Sequence, residues 1–362
     1  MKTSYKKIDA ESYSIFLGIN VFSSLNAFLS QKQYINSKLF LLVDENTFKY
    51  CFPLITRSKK LKKAIIIIIK SGEKNKNIET CQKVWKELSS HYADRKSLLI
   101  NLGGGVVSDL GGFAASIYKR GIDFINIPTT LLAQVDASIG GKTGIDLNNI
   151  KNEIGLFSFP KAVFVCPDFL NTLDKRQLLA GFAEIIKHAL IADKNYWKKV
   201  TSIKNLVPEN IEPLILQSIK IKNQIVLKDI HEKNIRKKLN FGHTIGHAIE
   251  SFSLKKDKNS LSHGESIAIG MICESYLSCR ENLLSKQELE EITRFVLLKY
   301  KYYVINPSSD KEIIKLMQHD KKNDNKNINF TLLQEIGQGI TDKYCSIKSI
   351  KESLNYYRNQ AK

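Results

Sequence analysis

Hydrophobic positions in the first half of the chain fall in short unbroken runs rather than in alternation. The runs at 39–43, 64–69, 98–102, 124–127 and 162–165 are rich in β-branched residues and end in polar or glycine-bearing turns. Continuous hydrophobicity over such short lengths suits strands buried on both faces, as in a parallel sheet covered by helices. Gly72, Gly103, Gly104, Gly105, Pro128 and Pro160 punctuate the runs. From 174 to about 285 the texture changes, with Leu, Ile and Ala at three- and four-residue spacings and charges between them. A polar stretch at 251–262 interrupts this region, and a late apolar run at 330–333 is expected to be a hairpin or a single edge strand. The pattern predicts an α/β domain with a mostly parallel sheet over 1–173, followed by a mainly α-helical domain over 174–362. There is no internal repeat.

Composition supports two globular domains and changes little else. The 362 residues are 43% hydrophobic and 25% charged, which excludes a disordered chain, a collagen-like fibre and a disulfide-stapled miniprotein. Lys and Arg number 55 against 36 Asp and Glu, a net charge of +19 that raises anionic partners. The lysines are spread throughout, as at 59–63 and 321–327, without a recognition-helix, zinc-finger or RNP pattern. The expectation is a solvated basic surface and no nucleic-acid partner. Six scattered cysteines without a CxxC pair, no apolar leader-like core after Met1 and no membrane-length apolar run point to a reduced, soluble, cytoplasmic protein.

Two clusters carry candidate chemistry. Gly103-Gly104-Gly105 follows a strand-like run and enters a helix-like stretch at 110–118, so it reads either as a tight turn or as a phosphate cradle at a helix N-terminus. The spacing is not GxGxxG. Asp44 and Asn46, just beyond an earlier strand, read either as helix caps or as partners of a ribose hydroxyl. Downstream, His243 and His247 share a helix face and His263 follows a polar loop. Three histidines flanked by small residues favour a metal or catalytic site over isolated packing residues. Glu184, inside an apolar helix, is costly to bury alone. It is either a further metal ligand or the ion-pair partner of Lys187.

Read in order, these segments resemble a known family. Gly103-Gly104-Gly105-Val106 is followed by Pro128-Thr129-Thr130-Leu131-Leu132 and Val135-Asp136-Ala137-Ser138-Ile139-Gly140-Gly141-Lys142-Thr143. Then come Lys151-Asn152, Ala183-Glu184-Ile185-Ile186-Lys187, Asn240-Phe241-Gly242-His243-Thr244-Ile245-Gly246-His247-Ala248 and His263-Gly264-Glu265. The chain resembles the 3-dehydroquinate synthases of the shikimate pathway from about 44 to about 322. The resemblance implies a Rossmann-like NAD-binding domain and a helical metal-binding domain with the active site between them. It also implies conversion of 3-deoxy-D-arabino-heptulosonate 7-phosphate to 3-dehydroquinate and phosphate with NAD+ and a divalent metal, Zn2+ or Co2+.

By motif, the resemblance assigns the metal to Glu184, His243 and His263. It assigns NAD contacts to Asp44, Asn46, Glu73, Lys76, Gly104, Gly105 and Val106, and further to Asp109, Thr129, Thr130, Leu132, Lys142, Lys151 and Thr172. The substrate shell comprises Asp136, Lys142, Asn152, Lys187 and Lys222, with Arg236, Asn240, His247 and Lys321 or Lys322. Arg120 is matched to an arginine that reaches the neighbouring subunit's phosphate site, implying a homodimer. The residue types suit the chemistry: cations hold a carboxylate and a phosphate, and a Glu/His/His metal site leaves positions open for substrate hydroxyls. His247 is expected to relay a proton.

The sequence departs from the family pattern in three places. Asn148-Asn149-Ile150 precedes Lys151 where a glycine is common, Phe159 replaces a common glutamine, and the loop between His247 and His263 is longer and richer in lysine. Three other readings compete. A sister sugar-phosphate cyclase is disfavoured by Asn240 and His247. A metal-dependent alcohol or glycerol dehydrogenase would not need the anion-gripping lysines, and a basic nucleic-acid binder lacks a docking motif.

Overall fold

A computed structural model of the chain describes residues 5–19, 21–56, 58, 60–148, 150–318 and 328–360. The first part runs β1 (Lys6–Asp9), β2 (Ser14–Leu17), α1 (Val21–Leu29), β3 (Leu39–Asp44), α2 (Glu45–Tyr50), α3 (Phe52–Ile55), β4 (Ile65–Ile69), α4 (Ile78–Ser90), β5 (Leu98–Gly103), α5 (Gly105–Ile117) and β6 (Asp123–Pro128). The hairpin β7 (Lys142–Leu147) and β8 (Ile150–Phe157) precedes β9 (Ala162–Val165). Then follow α6 (Lys175–Ala192), α7 (Lys194–Ser202), α8 (Pro208–Lys228), α9 (His243–Lys256), α10 (His263–Arg280), α11 (Lys286–Lys299) and α12 (Asp310–Gln318). The hairpin β10 (Ile328–Glu335) and β11 (Gln338–Cys345) and helix α13 (Ile347–Arg358) complete it.

The chain divides into two compact units, 1–174 with 206–223 and 175–205 with 224–362. Residues 206–223, most of α8, therefore count with the first unit and not with the helical one.

In the first unit seven strands form one sheet in the order β1-β2-β9-β6-β5-β3-β4. All pairs from β2 to β4 are parallel, and only β1 runs antiparallel to its neighbour. The unbroken apolar runs have the expected cause. Leu41, Val43, Ile100 and Ile125 pack on one face with Leu25 and Phe28 of α1. Phe40, Leu42, Leu99 and Phe124 pack on the other with Val84 of α4 and Leu110 of α5. Strand β4 departs from this: Ile67 and Ile69 are buried, whereas Ile66 and Ile68 are each 36% exposed. It is the edge strand, covered on one face only, so five consecutive isoleucines there do not mark burial on both sides.

Among its described residues, the regular elements of the second unit are helices apart from β10 and β11, which pair as a hairpin. None of the six cysteines forms a disulfide, and no helix among the described residues is long and apolar enough to cross a membrane.

Candidate active site

The first unit gathers its candidate residues at one edge of the sheet. Connections from β3 run to β4 on one side and then to β5 on the other, so the strand order reverses between β3 and β5. In open α/β sheets ligands bind beyond the carboxyl ends of the strands at such a point. Asp44 ends β3 and Gly103 ends β5. Asn46, Glu73, Lys76, Gly104, Gly105, Val106, Asp109, Thr129, Thr130, Leu132 and Thr172 all follow the carboxyl ends of β3, β4, β5, β6 or β9.

The glycine turn is built for close approach. A Cβ on Gly103 would stand 2.5 Å from Val107 Cβ, and one on Gly104 would stand 2.9 Å from Thr130 Cγ2. Gly104 caps α5 without a side chain, which leaves first-turn N–H groups and the positive helix end open to an anion. Asp44 does cap α2: its Oδ1 accepts from Thr47 N–H at 2.8 Å, and its own N–H donates to Thr47 Oγ1 at 2.9 Å. Asn46 donates its N–H to Ser71 Oγ at 3.3 Å. Thr129 N–H donates to Gly103 O at 3.0 Å, Thr130 Oγ1 accepts from Ala133 N–H, and Thr172 Oγ1 donates to Phe169 O at 2.7 Å.

A lysine joins the glycine-turn helix to the hairpin. Lys76 is 3% exposed, and its Nζ donates to Asp109 Oδ2 and to Asn152 Oδ1, both at 2.6 Å. Burial opposes the charge on Lys76, but Asp109 and Glu73 outweigh it and raise its pKa; burial likewise raises Asp109 against the pull of Lys76. Glu73 lies 3.9 Å from Lys151 Nζ. Two asparagines of the hairpin segment, Asn148 after β7 and Asn152 within β8, have left-handed φ of 51°, a region that asparagine tolerates. Phe159 packs as expected, stacked on Tyr13 with ring centroids 5.8 Å apart and against Gly141.

Asp136 sits in a single π-type turn, Ala133–Ala137, and Lys222 Nζ donates to its backbone O at 2.6 Å and its Oδ1 at 2.7 Å. Lys142 is exposed at the start of β7. Arg120 does not join these groups. It lies beyond the far end of α5, about 20 Å along the helix from Gly104. It is exposed, with φ of 69°.

In the second unit three helices converge on a metal-type site. Glu184, on α6, is completely buried, and its Oε1 has no hydrogen-bond partner. His243 Nε2 stands 3.6 Å from that oxygen and His263 Nε2 3.5 Å. A cation with bonds of about 2.1 Å spans such donor separations, so the donor set fits a divalent metal. Each imidazole is oriented from behind: His243 Nδ1 donates to Phe241 O at 3.1 Å, and His263 Nδ1 donates to Glu250 at 3.3 Å. A carbonyl or carboxylate oxygen only accepts, so Nδ1 carries a proton in both rings, and Nε2 is the ring nitrogen turned toward Glu184.

Charge favours the same arrangement. Burial raises the Glu184 carboxyl, but its ion pair with Lys187 outweighs that and holds it well below the usual carboxylate range. Burial and the Lys187 charge keep His243 neutral. Burial opposes charge on His263 too, yet Glu184 and Glu250 outweigh it and push the ring up to about 9. The site thus attracts positive charge. His247, exposed and one turn after His243, has its ring centroid 5.0 Å from that of His243.

Glycines make the convergence sterically feasible. A Cβ on Gly264 would meet Ala180 Cα of α6 at 2.4 Å, and one on Gly270 would meet Gly242 O of the α9 entry at 2.0 Å. The long loop before His263 keeps its register because Leu261 N–H donates to Ser253 Oγ, while Ser262 and Glu265 form a capping box on α10. Glu265 also pairs with Arg176, so in the His-Gly-Glu motif the glutamate serves the helix start.

Arg236 and Asn240 lie in the turn before α9. Asp229 builds it, accepting N–H groups from Lys233 at 3.0 Å, Asn234 at 2.7 Å and Arg236 at 3.0 Å. Arg236 is 2% exposed and donates to Ile230 O. Asn240 Nδ2 donates to Glu232 Oε1 at 2.8 Å, with Glu232 in the left-handed region at φ 58°.

Glu232, Glu250 and the fully buried His188, one turn past Glu184, were not singled out from the sequence. For Glu232 the available signal was its place eight residues before Asn240 in an otherwise lysine-rich turn. Lys321 and Lys322 lie outside the described residues.

A 3-dehydroquinate synthase N-terminal family model matches residues 66–180, and a 3-dehydroquinate synthase C-terminal model matches 181–323. The chain is 43% identical to the 3-dehydroquinate synthase of Parabacteroides distasonis, covering 93% of this chain and 95% of that one. It is 39% identical to that of Clostridium acetobutylicum, covering 99% of each. The fold matches solved structures of 2-deoxy-scyllo-inosose synthase, complexed with carbaglucose-6-phosphate, NAD+ and Co2+, and of 2-epi-5-epi-valiolone synthase from Streptomyces hygroscopicus with NAD+ and Zn2+ bound. The first has a TM-score of 0.83 at 24% identity, covering 98% of this chain and 99% of that one. The second has a TM-score of 0.80 at 22% identity, with 98% and 99% covered. A structure described as a probable glycerol dehydrogenase from Sinorhizobium meliloti shares the fold more loosely, with a TM-score of 0.62 at 15% identity over 94% of this chain and 95% of that one. With identity near 40% along nearly its whole length and both family models matched in order, the chain belongs to the 3-dehydroquinate synthase family.

Proposed function

We propose that the protein converts 3-deoxy-D-arabino-heptulosonate 7-phosphate to 3-dehydroquinate and phosphate, as a carbon–oxygen lyase acting on a sugar phosphate in chorismate and aromatic amino acid biosynthesis. The observation that carries the site assignment is the buried Glu184 oxygen with two imidazole Nε2 atoms at 3.5–3.6 Å. When bound, NAD+ takes up one hydride and returns it, and a Zn2+ or Co2+ ion acidifies substrate hydroxyls and polarises a carbonyl.

The chain's own residues supply the rest. Glu184, His243 and His263 hold the ion. The open N-terminus of α5 at Gly104, Gly105 and Val106 takes the dinucleotide's diphosphate, and Asp44 takes a ribose hydroxyl. Asn46, Glu73, Lys76, Asp109, Thr129, Thr130, Leu132, Lys151 and Thr172 complete that pocket. Lys142, Lys187, Lys222, Arg236 and Asn240 hold the substrate's carboxylate, hydroxyls and phosphate, with Asp136 and Asn152 fixing the lysines. His247, exposed beside His243, moves the proton. Phosphate leaves by elimination; once the hydride has been returned, the sugar hemiketal opens to an enol and a ketone, and the enol closes on that ketone.

Arg120 suits service in a neighbouring copy, because it is exposed, held in a left-handed conformation and distant from its own chain's glycine turn. This makes the working protein a homodimer in the cytoplasm, without nucleic-acid or membrane partners. Two domains carry nucleotide and metal respectively, with a sequence boundary near 173 and residues 206–223 counted with the first.

The test is product analysis with purified protein, NAD+ and zinc. The heptulosonate phosphate yields phosphate and 3-dehydroquinate, and sedoheptulose 7-phosphate yields neither. Turnover of sedoheptulose 7-phosphate alone would assign the chain to a sister cyclase.

A further inference from the structure

Helix α9 carries His243 and His247 but begins without a side-chain cap of its own. Its cap residue, Gly242, is left-handed with φ of 79°, and the N–H groups of the first turn need acceptors. The acceptor comes from another helix. Glu274 lies on α10, about three turns beyond His263 and so on nearly the same face. It is completely buried. Its Oε2 accepts from Gly242 N–H at 2.5 Å and its Oε1 from Ile245 N–H at 3.0 Å. Burial pushes this carboxyl up to about 8, opposed by the N–H donors of the first turn.

The Gly242 N–H belongs to the same peptide as the Phe241 carbonyl, and that carbonyl accepts from His243 Nδ1 at 3.1 Å. One peptide is therefore gripped at both ends, by a buried carboxyl group on its N–H and by the metal-type histidine on its C=O. An acceptor held on an amide N–H polarises the amide and makes its oxygen a better acceptor, and hydrogen bonds in series strengthen one another. A stronger acceptor on Nδ1 makes Nε2 of the same ring a better donor to a cation and fixes the ring's orientation.

We propose that Glu274 is a positioning residue for the metal centre, acting on His243 through the Phe241–Gly242 peptide. This rests on reading Glu184, His243 and His263 as metal ligands. The relay is distinct from a helix cap because it reaches metal affinity and ligand field, whereas a cap alone reaches only stability.

The experiment compares Glu274→Gln with the unsubstituted protein by chelator competition for Zn2+ and by the visible absorption of the Co2+ form. Zinc binding by the unsubstituted protein that is lost in His243→Ala establishes the metal site independently, so its failure is separable from failure of the relay. The relay predicts that Glu274→Gln loses about tenfold in zinc affinity, in the range for outer partners of metal ligands, and shifts the cobalt bands. Unchanged affinity and bands, with only a lower Tm, would overturn it. Should Glu274→Gln not fold, the unsubstituted protein still decides the matter. Phe241–Gly242 is the sole Phe-Gly pair in the sequence, so 13C-carbonyl Phe with 15N-Gly labelling isolates its amide in NMR. The relay predicts a strongly downfield Gly242 proton that moves further when zinc is added. An ordinary shift, unmoved by zinc, would contradict it.

Discussion

Glu250 stands 3.3 Å from Nδ1 of His263 and so turns the other ring nitrogen toward Glu184. Glu250 is buried on α9 while His263 begins α10, so the pairing depends on how these two helices pack. Glu250→Ala is expected to weaken zinc binding by roughly 10- to 100-fold, and Glu250→Gln, which keeps an acceptor, by less. Chelator competition measures both. Equal affinities in all three proteins would remove the orienting role.

Gly264 tests the approach of α10 to α6. With Ala180 Cα 2.4 Å from the position of an added Cβ, Gly264→Ala must push His263 away from Glu184. The expected cost is about 1–3 kcal/mol of stability, as for overpacked cores, together with weakened metal binding. Thermal unfolding with and without zinc checks this; a variant with unchanged Tm and zinc response would show that α10 has slack there.

Lys76 tests the first unit alone. Lys76→Met removes the donor shared by Asp109 and Asn152 and leaves the partly buried Asp109 carboxyl without its cation. NAD+ affinity is expected to fall about tenfold or more, on the scale of a lost charged hydrogen bond, with zinc affinity unchanged. Calorimetric titration of each ligand separates the two.

Asp229 links pH to the turn bearing Arg236. Burial raises its carboxyl, but the N–H groups of Asn234, Arg236 and Lys233 outweigh this and hold it below its ordinary 3.8. A depressed carboxylate contributes stability that is fully present above the unfolded pKa and is lost as pH falls through the folded one. Asp229→Asn is therefore expected to raise KM for the phosphate substrate by roughly 3- to 10-fold at neutral pH, the equivalent of about 1 kcal/mol for weakened hydrogen bonds. Its stability deficit against the unsubstituted protein should close below pH 3.8. A deficit that persists or widens in acid would contradict the assignment.

The sheet and the candidate metal-site residues are legible in the sequence for definite reasons. Strands β3, β5, β6 and β9 are buried on both faces, so each shows as an apolar run. Glu184 stood out because a carboxylate in an apolar helix demands a partner. Strands β7 and β8 did not stand out: they carry Lys142, Asp146, Lys151 and Glu153 as well as Gly144 and Gly155, whose missing Cβ atoms let the two backbones meet. Glu250 and Glu274 were hidden for another reason. In sequence they are ordinary helical glutamates, and their roles arise only when α9 crosses α10 at Gly246 and Gly270. Asp44 shows both sides, since its capping of α2 follows from local sequence, while its place beside the glycine turn comes from β3 pairing with β5.

The central claim is a cyclase that regenerates its own oxidant, and counting phosphate released per NAD+ tests it most directly. Purified protein is given zinc, excess 3-deoxy-D-arabino-heptulosonate 7-phosphate and NAD+ below the enzyme concentration, while absorbance follows NADH. The account predicts many phosphates per NAD+ with no lasting NADH. One phosphate or fewer per NAD+, with NADH accumulating in step, would contradict it.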